Sequence, residues 1–380
     1  MINASDLVRD EVHELAPYNS GLTVREVNER YGPAKIAKLA SNENPLGPSP
    51  DLDSITMADS DLLRLYPDPA GVELREAIAV ALDVASTQII LGNGSEELIS
   101  IICRAVLRPR DRVVTLYPSF PLHEDYAALM GASVERVNVK GNMSVDVDTF
   151  EKKIATPARM VIFSNPMNPV GSWLAPAELS RVIAAADKNT LIVVDEAYAE
   201  YAAGEDYVSA IDLLKGSRRP WVVLRTMSKA YGLAGLRIGY GVVADPEFRS
   251  LLDRVRTPFN VNAIAQVSAV KALADRQHLQ RVVTLAASER QRVQAFLLAN
   301  DWPVAASKGN FLFFDCAGNA ADFAEGLLRY GVIVKPWKQA GYETFVRVSV
   351  GSPDENNQFM SAVLSLTSQD VSHSSAIADG

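Results

Sequence analysis

The sequence predicts an α/β protein: a mostly parallel sheet flanked by helices, followed by a smaller α+β domain. Three observations predict it. Residues 112–245 alternate short, nearly continuous apolar runs with helical patterns; strands apolar throughout are those buried on both faces of a helix-covered parallel sheet. Such a βα repeat implies right-handed crossovers and layered packing. After about residue 255 the pattern changes to long helices and then separated short strands, the order of a second domain.

Taken along the chain, LGNGSEELISIICRAVL (91–107) reads as a strand end, a turn at Gly92 and Gly94, and an amphipathic helix beginning near Ser95, Glu96 and Glu97. The free N–H groups and dipole of a helix start attract an anion, although a helix merely capped by Ser95 looks the same. The strands RVVTL (112–116), MVIFS (160–164), LIVVDEAY (191–198) and WVVLRT (221–226) follow, and Pro176 opens the helix PAELSRVIAAADK between two of them. Catalytic groups in such sheets stand at the carboxyl ends of strands. The three later runs turn polar there, at Ser164–Asn165, Asp195–Glu196 and Thr226. Residues 261–299 are largely helical, and NFLFFD (310–315), GVIV (331–334) and FVRVSV (345–350) are strands around a helix near 320–330. The last residues, 368–380, lack periodicity and are expected to be disordered. The expected division is an N-terminal arm and part of the small domain (1–45), a large domain (46–258), a small domain (259–367) and the tail.

The chain has 380 residues, 48% hydrophobic and 22% charged, as in a soluble protein with a large core. A net charge of −9 leaves no basic surface to track phosphate backbones, so nucleic acid is not an expected partner. No apolar run approaches the roughly 18 residues of a membrane span, and MINASDLVRDEVHELAPYNS has no secretory pattern. Cys103 and Cys316 form neither a disulfide framework nor a metal-ligand spacing. The expectation is a cytoplasmic protein with no membrane, metal or nucleic-acid role.

Four segments carry chemistry. The helix start at Ser95 and Glu96 is one. SNPMNPVG (164–171) is a sharp turn that does not by itself require two asparagines; a positioned amide is the functional reading. VVDEAYAEY (193–201) ends a hydrophobic strand on Asp195, with Tyr198 three residues on; a buried carboxylate needs a cationic or hydrogen-bonding partner. TMSKAYGLAGLR (226–237) places Thr226, Ser228, Lys229 and Arg237 where hydroxyls and a cation would suit a phosphate. Each alone is weak. Together they provide an anion site, a carboxylate for a pyridine nitrogen, donors for a phenolate oxygen and an amine for an aldehyde, the requirements of pyridoxal 5′-phosphate.

At these residues the sequence resembles the fold-type I pyridoxal-phosphate aminotransferases, and specifically their histidinol-phosphate aminotransferase branch. The resemblance runs from about Tyr18 to Phe359, through KLASNENPLGPSP (38–50), YPDPAGVELREAIA (66–79), RTPFNVN (256–262), KGNFLFF and RVSVGSPDEN (347–356) as well as the segments above. It implies that Lys229 is the amine that engages the cofactor aldehyde and later shuttles a proton. It gives Asp195 the pyridine nitrogen, Asn168 and Tyr198 the phenolate oxygen, and Phe120 the ring face. The phosphate falls to Ser95, Glu96, Thr226, Ser228 and Arg237, with Tyr66 reaching across a homodimer to the partner's cofactor phosphate. Arg347 would fork onto the amino donor's carboxylate, and Tyr18, Asn42 and Lys335 would face the substrate. The implied reaction is transamination between small amino and keto substrates, glutamate donating and imidazole-acetol phosphate accepting. An aromatic or other amino-acid aminotransferase is the alternative, followed by a decarboxylase, lyase or oxidase on the same scaffold; a cofactor-binding regulator would need a basic segment. Three departures bear on substrate: Met167 and Val170 in NPMNPVG make the turn beside Asn168 more apolar, Lys335 stands where the branch commonly has arginine, and His123 stands in a stretch that often carries tyrosine.

Overall fold

The computed structural model of the chain describes residues 3–18, 21–54 and 61–378. The two-residue strand β1 (Ala37–Lys38) comes first, and the large sheet follows from β2 (Ile89–Gly92), β3 (Arg112–Tyr117), β4 (Ser133–Asn138), β5 (Met160–Ser164), β6 (Leu191–Asp195), β7 (Trp221–Thr226) and β8 (Gly239–Val243). Their order across the sheet is β2-β8-β7-β6-β5-β3-β4, and only β8 runs against the others. β5, β6 and β7 are buried along their whole length, as continuous apolar runs between two helical layers must be.

Helices cover both faces. The helix Gly94–Val106 buries Leu98, Ile99, Ile101, Ile102 and Cys103 against one face, joining Val113, Ile162, Val193 and Val222 in one cluster. On the other face Leu74 and Ile78 of the helix Val72–Leu82 and Leu179 and Val182 of the helix Pro176–Ala185 meet Val114, Val161, Val194 and Val223. Pro176 opens its helix as expected, and the Glu178 carboxylate accepts the Ala175 N–H at 2.9 Å to close that end.

The small domain holds β9 (Phe311–Asp315), β10 (Val332–Ile333), β11 (Lys335–Pro336) and β12 (Phe345–Ser349). β12 lies between β9 and β11, and β1 pairs in parallel with β10, so the N-terminal arm is tied to this domain. The helix that follows the expected boundary at 258 packs with the large sheet. Ala265, Ala269 and Ala272 of the helix Ala263–Ala274 share the large sheet's core with Leu74 and Ile78, and the next helix, Arg276–Ala299, starts on the Asp275 cap. The pattern expected over 261–299 as one helical region is therefore two helices with different partners. The chain end also differs from expectation. A helix spans Pro353–Ala378, in place of a disordered tail over most of 368–380, while 379–380 lie outside the described residues. Phe359, Ala362 and Val363 bury its early turns. Once nucleated there, each further residue adds a hydrogen bond without a new nucleation cost, and no glycine or proline intervenes before Gly380. No helix among the described residues is long and apolar enough to cross a membrane.

Candidate active site

β5, β6 and β7 end side by side at Ser164, Asp195 and Thr226. Because β8 runs in reverse, it begins at that same edge, pairing Gly239 with Thr226. One loop from 227 to 238 thus carries both Lys229 and Arg237. Above this edge opens a cavity of about 390 Å³. Ser95, Glu96, Phe120, Asn168, Asp195, Tyr198, Thr226, Ser228, Lys229 and Arg237 line it from the large domain, and Tyr18, Lys335 and Arg347 line it from the arm and small domain. Asn42, expected to face the substrate, does not line it and lies one hydrogen bond behind the wall. Tyr66, expected to reach a partner's site, stands outside this cavity, 82% exposed, and stacks on Phe259 with ring centroids 4.6 Å apart.

A buried relay settles which way the polar groups point. The Ser349 hydroxyl accepts the Asn42 backbone N–H, so its own proton goes to Asn42 Oδ1, both at 2.8 Å. The amide nitrogen of Asn42 must then face Tyr198, donating to its hydroxyl at 2.9 Å. Tyr198 is left with its proton for the cavity, and burial raises its pKa, keeping that proton in place. Arg347 does the same for Asn168. A guanidinium only donates, and Nη1 donates to Asn168 Oδ1 at 2.6 Å, which turns the Asn168 amide hydrogens outward. Arg347 Nη2 donates to the Ala40 carbonyl at 2.7 Å, whereas its buried Nε has no acceptor.

Asp195 sits on the cavity floor, 5% exposed. Its Oδ1 accepts the Ala197 N–H at 3.1 Å, and its Oδ2 lies 3.1 Å from Nε2 of His123, which is itself fully buried. The arrangement holds the carboxylate fixed with hydrogen-bond capacity remaining toward the cavity. Beside it, the start of the helix Gly94–Val106 meets the β8 start closely. A Cβ on Gly239 would lie 2.3 Å from the Ser95 nitrogen, and one on Gly94, at φ +80°, would lie 2.5 Å from Arg237 Nη2. Two glycines therefore let backbone N–H groups and a guanidinium converge on one small space, an anion cradle. The Thr226 hydroxyl takes the Ser228 N–H at 3.1 Å and so braces the turn between them.

Lys229 Nζ projects between these groups, donating to the Ser41 carbonyl at 2.8 Å and standing 6.0 Å from the Tyr198 ring centroid. Burial, and then Arg347, bring its pKa down to about 8. A lysine poised to lose its proton, a fixed carboxylate, two aimed donors and an anion cradle together suit covalent amine chemistry on a flat, anionic ligand.

Residues 34–363 match the family model described as aminotransferase class I and II. The chain is a class I and II aminotransferase. It is 61% identical to histidinol-phosphate aminotransferase 1 of Mesorhizobium japonicum, over 96% of this chain and 100% of that one. It is 58% identical to histidinol-phosphate aminotransferase 3 of Rhizobium meliloti, over 94% and 96%. Among solved structures it is similar to histidinol-phosphate aminotransferase from Sinorhizobium meliloti in complex with pyridoxal-5'-phosphate, with a TM-score of 0.84, 28% identity, and 94% and 97% of the two chains covered. The fold is aminotransferase fold type I.

In this aminotransferase Met167 and Val170 do not make the cavity more apolar. Both are buried in the core of the large sheet and neither lines the cavity. Side-chain direction at a turn with two cis prolines was not legible from composition. Several cavity groups also escaped sequence reasoning: Ala40, Ser41, Glu43, Ala197 and Ala234. Ser41 acts through a backbone carbonyl, which any residue supplies, and Glu43, paired with Lys38 at 2.6 Å, reads in sequence as a surface charge. The contact of His123 with Asp195 had one available signal, the three-residue spacing from Phe120, whose ring meets the imidazole edge-on at 5.6 Å.

Proposed function

We propose that this aminotransferase holds pyridoxal 5′-phosphate in the cavity and transfers an amino group from glutamate to imidazole-acetol phosphate, giving histidinol phosphate. The observation that carries the reading is the convergence of Lys229, Asp195 and the Gly94–Gly239 cradle on one cavity. The residues fit the cofactor: the cradle is space that a Cβ would fill, and the donor set matches each polar atom of the ring. The names of the two most identical relatives cited above support the substrate.

When bound, the cofactor supplies an aldehyde for amine exchange and a protonated ring that withdraws electrons from the substrate Cα. Asp195 holds the ring nitrogen protonated, its charge balanced by that proton and fixed by Ala197 and His123. Asn168 Nδ2 and the Tyr198 hydroxyl donate to the ring's phenolate oxygen, in the orientations set by Arg347 and Asn42. Phe120 would cover the ring face. The backbone N–H groups of Ser95 and Glu96, with Ser228 and Arg237, would hold the phosphate. Lys229 Nζ would supply the amine and act as the base at the substrate Cα proton. Arg347, which lines the cavity, would take the donor carboxylate. Lys335 faces Arg347 across β11 and β12 and, with Tyr18, answers the acceptor's distal phosphate.

Homodimerisation and a cytoplasmic location belong to the same reading. The exposed Tyr66 supports the first: it stands outside its own chain's cavity with no site to serve there, as a residue that serves a partner must. An adjoining cleft of about 340 Å³ favours a second reading. Phe120, Pro121, Pro336 and Trp337 give it apolar walls, which an aromatic keto acid would also fill. Purified enzyme with glutamate, offered imidazole-acetol phosphate or 4-hydroxyphenylpyruvate, separates the two. We expect the phosphate ester to give the higher kcat/KM; turnover of the aromatic acid alone would replace the first reading with the second.

A further inference from the structure

Beside β2, at Ile89 and Leu91, lies a second cavity, of about 310 Å³, that shares no lining residue with the first. Arg75, Arg249 and Arg256 line it with one carboxylate, Asp253, and with Pro69 and Ala70. Asp253 is already engaged twice: Arg249 Nη1 pairs with its Oδ2, and Arg256 Nε lies 3.1 Å from its Oδ1. Arg256 is held further, donating to Asn260 Oδ1 at 2.6 Å and to the Pro69 carbonyl at 2.8 Å. The Arg75 side chain makes no hydrogen bond or ion pair with another described residue, and the Nε atoms of Arg75 and Arg249 are both buried without an acceptor. The other carboxylate within electrostatic reach, Asp68, is turned to cap the helix Val72–Leu82, accepting the Ala70 and Val72 N–H groups at 2.8 Å. In a chain of net charge −9, this cavity therefore has a surplus of two positive charges. A buried guanidinium N–H without an acceptor, as at Nε of Arg75 and of Arg249, is costly unless something supplies one.

We propose that this cavity is a binding site for a phosphate-bearing small anion. A dianionic phosphoryl group matches the charge surplus and offers enough acceptor lone pairs for three forks, which a monocarboxylate does not. The site also reaches the cofactor cradle through one residue. Asn260, held by Arg256, donates to Glu97 and to the Leu91 carbonyl, and its own carbonyl accepts from Asn93, the residue that precedes the helix Gly94–Val106. An anion that fixes Arg256 therefore steadies the helix start that carries Ser95 and Glu96.

The test is calorimetric titration of inorganic phosphate into the cofactor-loaded enzyme, where the cradle is already filled. The expected result is one phosphate per chain in wild type, weakened about tenfold or more in Arg75→Gln with kcat unchanged, and weakened less in Arg75→Lys, which keeps the charge. Phosphate binding that survives Arg75→Gln and disappears in Lys335→Gln would locate the anion in the substrate cleft and overturn the proposal. Absence of binding to wild type would also overturn it. Succinate, run in parallel, should bind more weakly than phosphate; equal or tighter binding would replace the phosphoryl group with a carboxylate. Saturating phosphate should slow cofactor release at least about threefold in wild type and not in Arg75→Gln; equal rates would remove the link through Asn260. None of these outcomes depends on which keto acid the enzyme accepts.

Discussion

Lys229 is held at about 8 by burial and by Arg347, below the 10.5 of an exposed lysine. Only the neutral amine attacks an aldehyde, so cofactor uptake by the apo enzyme should accelerate as pH rises through about 8. Stability follows with a definite sign. Between about 8 and 10.5 the folded apo form binds fewer protons at this site than the unfolded chain, so this residue's contribution to stability rises with pH across that window. Urea titrations of apo wild type and Lys229→Met should show the gap between them shifting in favour of wild type as pH increases; a constant gap would contradict the assignment. Lys229→Ala should lose about 10²–10⁴-fold or more in turnover together with the visible absorbance of the enzyme-linked cofactor. The relay behind Tyr198 gives a separate prediction. Ser349→Ala strips partners from a buried Asn42, at a cost of about 1–3 kcal/mol, and frees its amide to turn. Urea unfolding should report the loss, with a fall in kcat. At this scale the sequence revealed residue types that chemistry needs, such as Lys229 and Asp195. The relay was hidden, because Ser349 and Asn42 are 307 residues apart and serve through orientation rather than reactivity.

Among elements, the reversed strand β8 matters most to the site, since it places Gly239 against Ser95. Gly239→Ala would force a methyl group into backbone that cannot yield, costing about 1–3 kcal/mol and opening the cradle. Spectroscopic titration should show cofactor affinity reduced about tenfold or more, with a lower Tm; unchanged affinity would mean that the cradle does not hold the phosphate. The parallel strands β3, β5, β6 and β7 were legible because each is a short apolar run; the edge strand β4, SVERVN, was not, because it is mostly solvent-facing and carries no apolar run. The helical region 261–299 was harder to divide. Its alanine-rich first part packs on the large sheet; in its second part Val282 and Ala286 join Tyr198, Tyr201 and Phe311 while Val293 and Leu297 enter the small-domain core, and an amphipathic pattern does not say which neighbour it faces. The final helix was missed for a related reason: its early turns are anchored by Phe359, Ala362 and Val363, upstream of the segment being judged.

For the whole molecule, Tyr66 supplies the decisive experiment. If it serves the partner's cofactor phosphate, mixing inactive Lys229→Ala chains with weakened Tyr66→Ala chains should restore activity, because each mixed dimer contains one site with neither lesion. If Tyr66 acts within its own chain no mixed dimer has an intact site, and activity would not rise above that of Tyr66→Ala alone. The division into domains was expected from the change of pattern near residue 255. That part of the segment 1–45 joins the small domain was among the expectations; the pairing of Ala37–Lys38 with Val332–Ile333 was not, since two residues carry no readable periodicity. That pairing of β1 with β10 has a consequence for manufacture. Lys38 leaves the ribosome long before its mate Ile333, and at about 5–20 residues per second the wait is roughly 15–60 s. Throughout translation the arm hangs unmated while the large sheet condenses behind it. A nascent chain caught in that interval should have a protease-sensitive N-terminus on a resistant middle, and become resistant throughout only after release.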